Sequence, residues 1–421
     1  MVDTERPQGT ARSALAVPSF RNLFLASFAS NSGRWMQFAA LGILGWELTE
    51  SSAFLGYIIF AQLAPLGFLS LIGGSLADTA NRRTLLLSTQ AWQMVWTFVL
   101  AAMLIDGEIG EGMLLLLVFI IGLGQGMYAP AFTSILPLVA GEENLQPAIA
   151  LNSVQVNGAR VVGPSIGGVL ASSFGFAEVF AINALTYTVV IAVLWRMQLP
   201  KSTASTASSW ADRVFGGFRI VRRAPQVGRP ILLMAIFALL CLPFIGQLPA
   251  IAEVNLGIDS KSTQYGWFYA VFGLGALLGA ILVGTVLLRY RKDYIIRAAL
   301  LGFAGSLAWL SQLNDINFAY IAIFLVALCY FTLPTVFATM WQEHVDSTIR
   351  GRVAAIWVLS FGGVVPIANL IGGRLVEATS LATLMNIGVA SAAALGIFAR
   401  VKTGPVVDES ILDERSAATR P

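Results

Sequence analysis

Charge is scarce in this chain. Only 12% of its 421 residues are charged, against about 25% in an ordinary soluble domain, which excludes a typical water-soluble enzyme. Cysteine is nearly absent: Cys241 and Cys329 lie in apolar runs and form neither a disulfide framework nor a metal-binding spacing. The single histidine, His344, stands beside Glu343 and Asp346 at a helix end, which suits an interfacial polar residue better than a proton relay. One histidine cannot build a metal site, and no Ser/His/Asp, His/Glu or Cys cluster suggests catalysis. The phosphate-binding pattern Gly-x-x-x-x-Gly-Lys-Ser/Thr is missing as well. No enzymatic activity, cofactor, metal or nucleic-acid partner is expected.

Apolar sequence is abundant. Hydrophobic residues make up 57% of the chain, the mean hydropathy is +0.75, and there are 40 glycines and 10 tryptophans. These fit membrane helices with small-residue interfaces and aromatic belts. Twelve runs approach the ~20 residues that span a bilayer. The first six cover 22–46, 53–77, 84–105, 112–138, 148–171 and 174–197. The second six cover 230–252, 264–288, 293–312, 316–340, 352–376 and 380–400. The expected fold is an all-α membrane protein of two pseudo-symmetric six-helix bundles, at 20–197 and 230–400, with tails at 1–19 and 401–421. The polar stretch 198–229 joins them and holds a basic amphipathic run from Trp210 to Arg223, read as a helix lying on the membrane.

The tail 1–19 is polar and shows no cleavable signal peptide. Twenty-two of the 26 Lys and Arg residues fall in the loops on the side of the termini. The other side keeps Lys261 and Arg374, while Arg34 and Arg160 remain within the spans. This asymmetry predicts cytoplasmic termini and residence in the plasma (inner) membrane.

The halves repeat. Gly56 and Gly74 recur as Gly266 and Gly284 at an offset of 210, and Pro130 recurs as Pro334 at 204. Gly158, Gly167 and Gly168 recur as Gly363, Gly372 and Gly373 at 205. A duplicated unit predicts a midplane site and alternating access by rocking.

The second run ends Gly73-Gly74-Ser75-Leu76-Ala77-Asp78, followed four residues later by Arg82-Arg83. An acid and two arginines around a tight turn can latch neighbouring helix ends; the simpler role of the arginines is positive-inside anchoring. The segment resembles the helix 2–3 signature of the major facilitator superfamily, G-x-L-A-D-x-x-x-R-R, at Gly74, Leu76, Ala77, Asp78, Arg82 and Arg83. Within that superfamily the chain most resembles the transmembrane secretion effector group, which includes the enterobactin exporters. The carrying stretches are Phe20 to Phe24, Ser30 to Gln37, and Tyr265-Gly266-Trp267 running into Phe272 to Ala276. Gly163-Pro164-Ser165-Ile166-Gly167-Gly168 is similar to the fifth-helix motif of antiporters, so the resemblance implies export. Two departures stand out. Leu288 replaces the acid 210 residues beyond Asp78, and Arg34 stands where the group is expected to carry a small or neutral residue.

Arg34 lies thirteen residues from both Arg21 and Glu47, roughly 20 Å of helix on either side, hence near mid-membrane. Asn31, Arg34 and Gln37 share one face of the first span, and Asn157 and Arg160 share one on the fifth. Gln125, Tyr128, Gln247, Tyr265 and Tyr330 complete the candidate substrate site; each tyrosine could equally serve packing. No Asp or Glu falls near the middle of a run. Two buried cations therefore need compensation from helix carbonyls, water or an anionic substrate. Arg160 can act as a structural tie to carbonyls, whereas Arg34 is the sharper substrate clue. The acids open to proton coupling are Glu47, Glu253 and Asp78. The expected activity is secondary export of a small amphipathic, anionic metabolite or drug in exchange for protons, by a monomer. A lipid flippase and a non-transporting sensor are the alternatives.

Overall fold

The computed structural model describes residues 9–79, 81–105, 109–197, 210–346, 349–399 and 405–408, excepting the side chains of 68, 70–79, 129, 130, 172 and 210–214. The described chain is helical. A short helix α1 (Ala11–Ala16) precedes α2 (Pro18–Thr49), α3 (Ser52–Thr79), α4 (Arg82–Ile105), α5 (Glu111–Ala140), α6 (Leu145–Ser173) and α7 (Phe176–Arg196). Then come α8 (Trp210–Arg223), α9 (Pro225–Cys241), a three-residue α10 (Leu248–Ala250), α11 (Thr263–Gly284), α12 (Lys292–Leu310), α13 (Ile316–Glu343), α14 (Arg350–Val358), α15 (Val364–Ala378) and α16 (Leu381–Phe398).

Among the described residues eight helices are long and apolar enough to cross a membrane, or nine when the bent pair α8–α9 counts as one span. α2 and α6 are outside that set although they have 32 and 29 residues. What they have in excess is polarity: these two helices carry Arg34 and Arg160. The apolar run 230–252 is not one straight helix. α9 stops at Cys241, and 3-10 and π turns follow around Pro243 and Pro249, each proline removing a backbone donor from the ladder. A π-helical turn, Leu359–Gly363, likewise interrupts the run 352–376 between α14 and α15.

Contacts divide the chain into two units. The first holds Met1–Leu48, Phe68–Ala207 and Asp259–Gly273; the second holds Thr49–Gly67, Ser208–Ile258 and Leu274–Pro421. In the first, α4 packs on α5 and α7; in the second, α12 packs on α13 and α16. The starts of α3 and α11 are thus each grouped with the other half's sequence. In the first unit Gly168 of α6 backs onto Gly266 of α11, where a Cβ would lie 2.7 Å from the Gly266 Cα. In the second, Gly373 of α15 backs onto the Ser52 carbonyl and Ala53 of α3. A repeated glycine thus makes a close helix contact in each unit, although Gly373 meets Ser52 and Ala53 while Gly56 meets the Asn369 carbonyl.

The first core gathers Phe20, Leu23, Leu86, Ile135, Val190 and Leu194. The second unit has a cluster of Ile220, Val227, Trp341, Val353, Ile356 and Val407, where an isolated parallel bridge ties Val407 to Val345. Many large apolar residues face outward, among them Leu25, Trp92, Phe98, Phe119, Leu185 and Ile371. Lipid is the solvent for such a surface.

Candidate functional site

The polar centre of the first unit is built around α2. Ser27, Ser30, Arg34 and Gln37 recur at helical spacing, and all but half-buried Arg34 are buried. α4 offers Gln90, Gln93 and Thr97, α5 offers Tyr128, and α7 offers Asn183 and Tyr187; all are buried. Arg34 lies close to both tyrosines. Gln90 and Ser27 flank the Tyr128 hydroxyl, and Thr97 flanks that of Tyr187. Asn183 locks the assembly by donating through Nδ2 to Gln37 Oε1 and to the Tyr187 hydroxyl.

Among the described residues no carboxylate pairs with Arg34. Ser27 and Gln90 serve the Tyr128 hydroxyl and Thr97 serves the Tyr187 hydroxyl, so these buried polar side chains partner one another around Arg34. The centre therefore holds a cation, ringed by buried hydroxyls and amides, whose charge no described carboxylate offsets.

A second charged element lies on the other side of α2. Arg160 of α6 stacks over the Trp35 ring at 4.6 Å and donates through Nη1 to Asn157 Oδ1 at 3.1 Å. Asn31 Nδ2 donates to Gln155 Oε1 at 3.1 Å, tying α2 to α6 one turn away. The glycines bring these helices together. A Cβ at Gly163 would strike the Ser32 carbonyl and Trp35, and one at Gly167 would lie 2.8 Å from Met36 Cγ. Pro164 cannot donate to the Arg160 carbonyl. That carbonyl instead faces Gly273 of α11, whose added Cβ would sit 2.9 Å away. The motif is therefore a two-sided packing element: Gly163 and Gly167 fit α2, while Gly168 fits α11.

The other sequence candidates are spread out. Gln125 is half-buried three residues before Tyr128. Tyr265 meets Tyr269 edge to face with centroids 6.3 Å apart. In the second unit Gln247 is fully buried and donates to the Ser52 carbonyl at 3.0 Å, and Tyr330 packs between Phe237 and Phe331. The structure thus joins Arg34 to Tyr128 and Arg160 to Asn157, and gives Gln247 and Tyr330 partners in a separate unit. Sequence reading missed Gln90, Gln93, Thr97, Asn183 and Tyr187. The available signal was their recurrence at i, i+3, i+7 and i, i+4 in otherwise apolar runs.

At the α3–α4 turn, Arg82 donates to the Ser134 carbonyl at 3.4 Å, and Arg83 donates to the carbonyls of Leu194 and Trp195. Arg83 thereby caps the last turn of α7, where the helix dipole favours a cation. Gly74 and Asp78 fall on α3, but their side chains lie outside the described residues. Of the remaining acids, Glu47 pairs with Lys261 at 2.7 Å, and half-buried Glu253 sits in the π turn after α10.

The start of α3 is held in the second unit. Ser51 Oγ and the Ala53 N–H donate to Glu377, Phe54 N–H donates to Ser51 Oγ, and Arg374 Nε donates to the Tyr57 hydroxyl at 3.1 Å. Ser51→Ala is expected to destabilise the purified protein by about 1 kcal/mol, a normal N-cap loss. Thermal unfolding followed by tryptophan fluorescence checks it; an unchanged midpoint would show that the cap carries no stability.

The sequence profile of the transmembrane secretion effector family matches residues 9–418. The chain belongs to that family, a branch of the major facilitator superfamily. This effector-family chain is 26% identical over 361 residues to the enterobactin exporter EntS of Escherichia coli, covering 81% of each protein. It is 25% identical over 400 residues to the MFS-type transporter YfiS of Bacillus subtilis, covering 87% of this chain and 94% of YfiS. Its fold is similar to that of a POT family transporter solved with 5-aminolevulinic acid, with TM-score 0.73, 11% identity, and 96% and 97% of the two chains covered. The nucleoside transporter NupG gives TM-score 0.69 at 12% identity, covering 90% of this chain and 97% of NupG. The effector-family chain is a multi-pass membrane transporter and not an enzyme.

Proposed function

We propose that this protein exports a small, amphipathic, anionic metabolite, siderophore-like in chemistry, by alternating access in exchange for protons. Twelve spans in two bundles with cytoplasmic termini would carry it, in the plasma (inner) membrane. The observation that supports the reading best is Arg34: a half-buried guanidinium near mid-membrane, ringed by hydroxyls and amides, with no carboxylate partner among the described residues. A cation in that setting favours a ligand that brings the negative charge, and tyrosines and Trp35 offer aromatic surface for its apolar part. The likeness to proteins named enterobactin exporters supports export as the direction of transport.

A flippase reading requires an apolar lateral opening beside Arg34. Three grooves of the first unit, one lined by Ser165, Val169 and Trp267, one by Ser19, Leu138 and Val193, and one by Met94, Thr188 and Trp195, are not that opening, since none includes Arg34.

The test is uptake into everted membrane vesicles of a catecholate, a carboxylate and a cationic dye of similar size, with and without a pH gradient. Accumulation of the anions that collapses with a protonophore is expected. Accumulation unaffected by the gradient would remove proton exchange from the proposal, and preference for the cation would remove the anionic substrate.

A further inference from the structure

α8 presents two faces. One is occupied by protein: a Cβ at Gly217 would strike the Arg352 carbonyl and Ile356 of α14, and Ile220 is fully buried beside Ile349, Val353 and Ile356. The other face is bare. Phe215, Phe218, Arg219 and Arg222 fall at i, i+3, i+4 and i+7, hence on one stripe, with Phe215 68% and Phe218 54% exposed and both arginines exposed. Two adjacent phenylalanines are poorly served by water, and α14 is already spent on the opposite face.

Direction and charge identify what covers them. Residues Phe215–Arg223 turn through 109° into α9, so with α9 crossing the bilayer this segment runs along its surface. Neither Arg219 nor Arg222 has an acidic partner among the described residues, and two acids of this unit are engaged elsewhere, Asp293 by Arg291 and Glu343 by Lys292. An in-plane helix with phenylalanines for the acyl boundary and guanidiniums at headgroup level is suited to phosphate-bearing lipid. Zwitterionic lipid would satisfy the phenylalanines alone; the uncompensated arginines add a preference for net negative headgroups.

We infer that the Phe215–Arg222 face of α8 is a binding surface for anionic phospholipid of the cytoplasmic leaflet. The leaflet rests on the orientation proposed above; the lipid contact does not.

The test uses the full-length protein carrying Phe218→Cys in a Cys241→Ala, Cys329→Ala background, labelled with an environment-sensitive fluorophore and reconstituted in nanodiscs. Blue-shifted emission is expected, with quenching by brominated phosphatidylglycerol at least about fivefold more efficient than by brominated phosphatidylcholine at equal mole fraction. In Arg219→Gln/Arg222→Gln the quenching persists and the preference disappears. Water-like emission, or equal quenching by both lipids, would overturn the inference. As a check independent of the labelled variant, phosphatidylglycerol should raise the melting temperature of the wild-type protein more than that of the arginine double variant; equal shifts would count against the site. An impermeant thiol reagent on right-side-out and everted vesicles reads the orientation separately.

Discussion

Gly163→Val and Gly168→Val, made singly, are expected to reduce transport at least tenfold and to lower thermal stability. Each adds bulk where two helices touch backbone to backbone. At Gly163 the first added carbon already meets the Ser32 carbonyl, and at Gly168 it lies 2.7 Å from the Gly266 Cα. Overpacking of this kind costs about 1–3 kcal/mol per site even when neighbours relax. At Gly163 it also shifts α2, and with it Arg34 and Trp35, relative to α6, and at Gly168 it pushes α6 away from α11. The control is Gly305→Ala on α12, where a Cβ would meet nothing within 4 Å. That change should leave transport intact and be neutral or stabilising by about 0.5–1 kcal/mol through helix propensity. Equal damage at all three positions would mean that the motif has no special packing role.

Arg34→Ala is expected to separate function from stability. Anion transport should fall about 30-fold or more, the usual consequence of removing a buried charge contact to a ligand. The fold should not suffer in proportion. Breaking a buried ion pair is destabilising because a charge is left alone, but Arg34 has no carboxylate to orphan among the described residues. Removing a desolvated cation is instead expected to leave the melting temperature unchanged or to raise it. Arg34→Lys should recover part of the transport, because it restores charge without the planar fork. A variant that lost stability and transport together would point to a helix-packing role.

Much of the architecture was legible in the sequence because membrane helices announce themselves by length and polarity. The paired glycines near 168 and 373 were legible for a similar reason: close backbone approach admits only glycine, so the repeat survives in the letters. Arg34 was legible because one charge in an apolar run has few bland explanations. Its surroundings were not. Gln90, Thr97, Asn183 and Tyr187 come from runs whose polar residues read individually as ordinary, and only the packing of α4 and α7 around α2 unites them. The breaks after Cys241 were hidden by continuous hydropathy, although Pro243 and Pro249 were in view. Gln247 and Tyr330 stood as further candidates beside the sharper Arg34 because sequence depth gives no direction of facing; in the structure Gln247 bonds the start of α3 and Tyr330 sits among phenylalanines.

Direct binding to the purified protein tests the anion site without any assumption about coupling or direction. A radiolabelled catecholate and a cation of matched size and hydrophobicity are titrated against wild type and Arg34→Ala in the same detergent. Tighter binding of the anion by wild type, lost in Arg34→Ala while the cation is unaffected, is the expected result. Anion binding that Arg34→Ala leaves unchanged would contradict the assignment of Arg34 as the charge that receives the substrate.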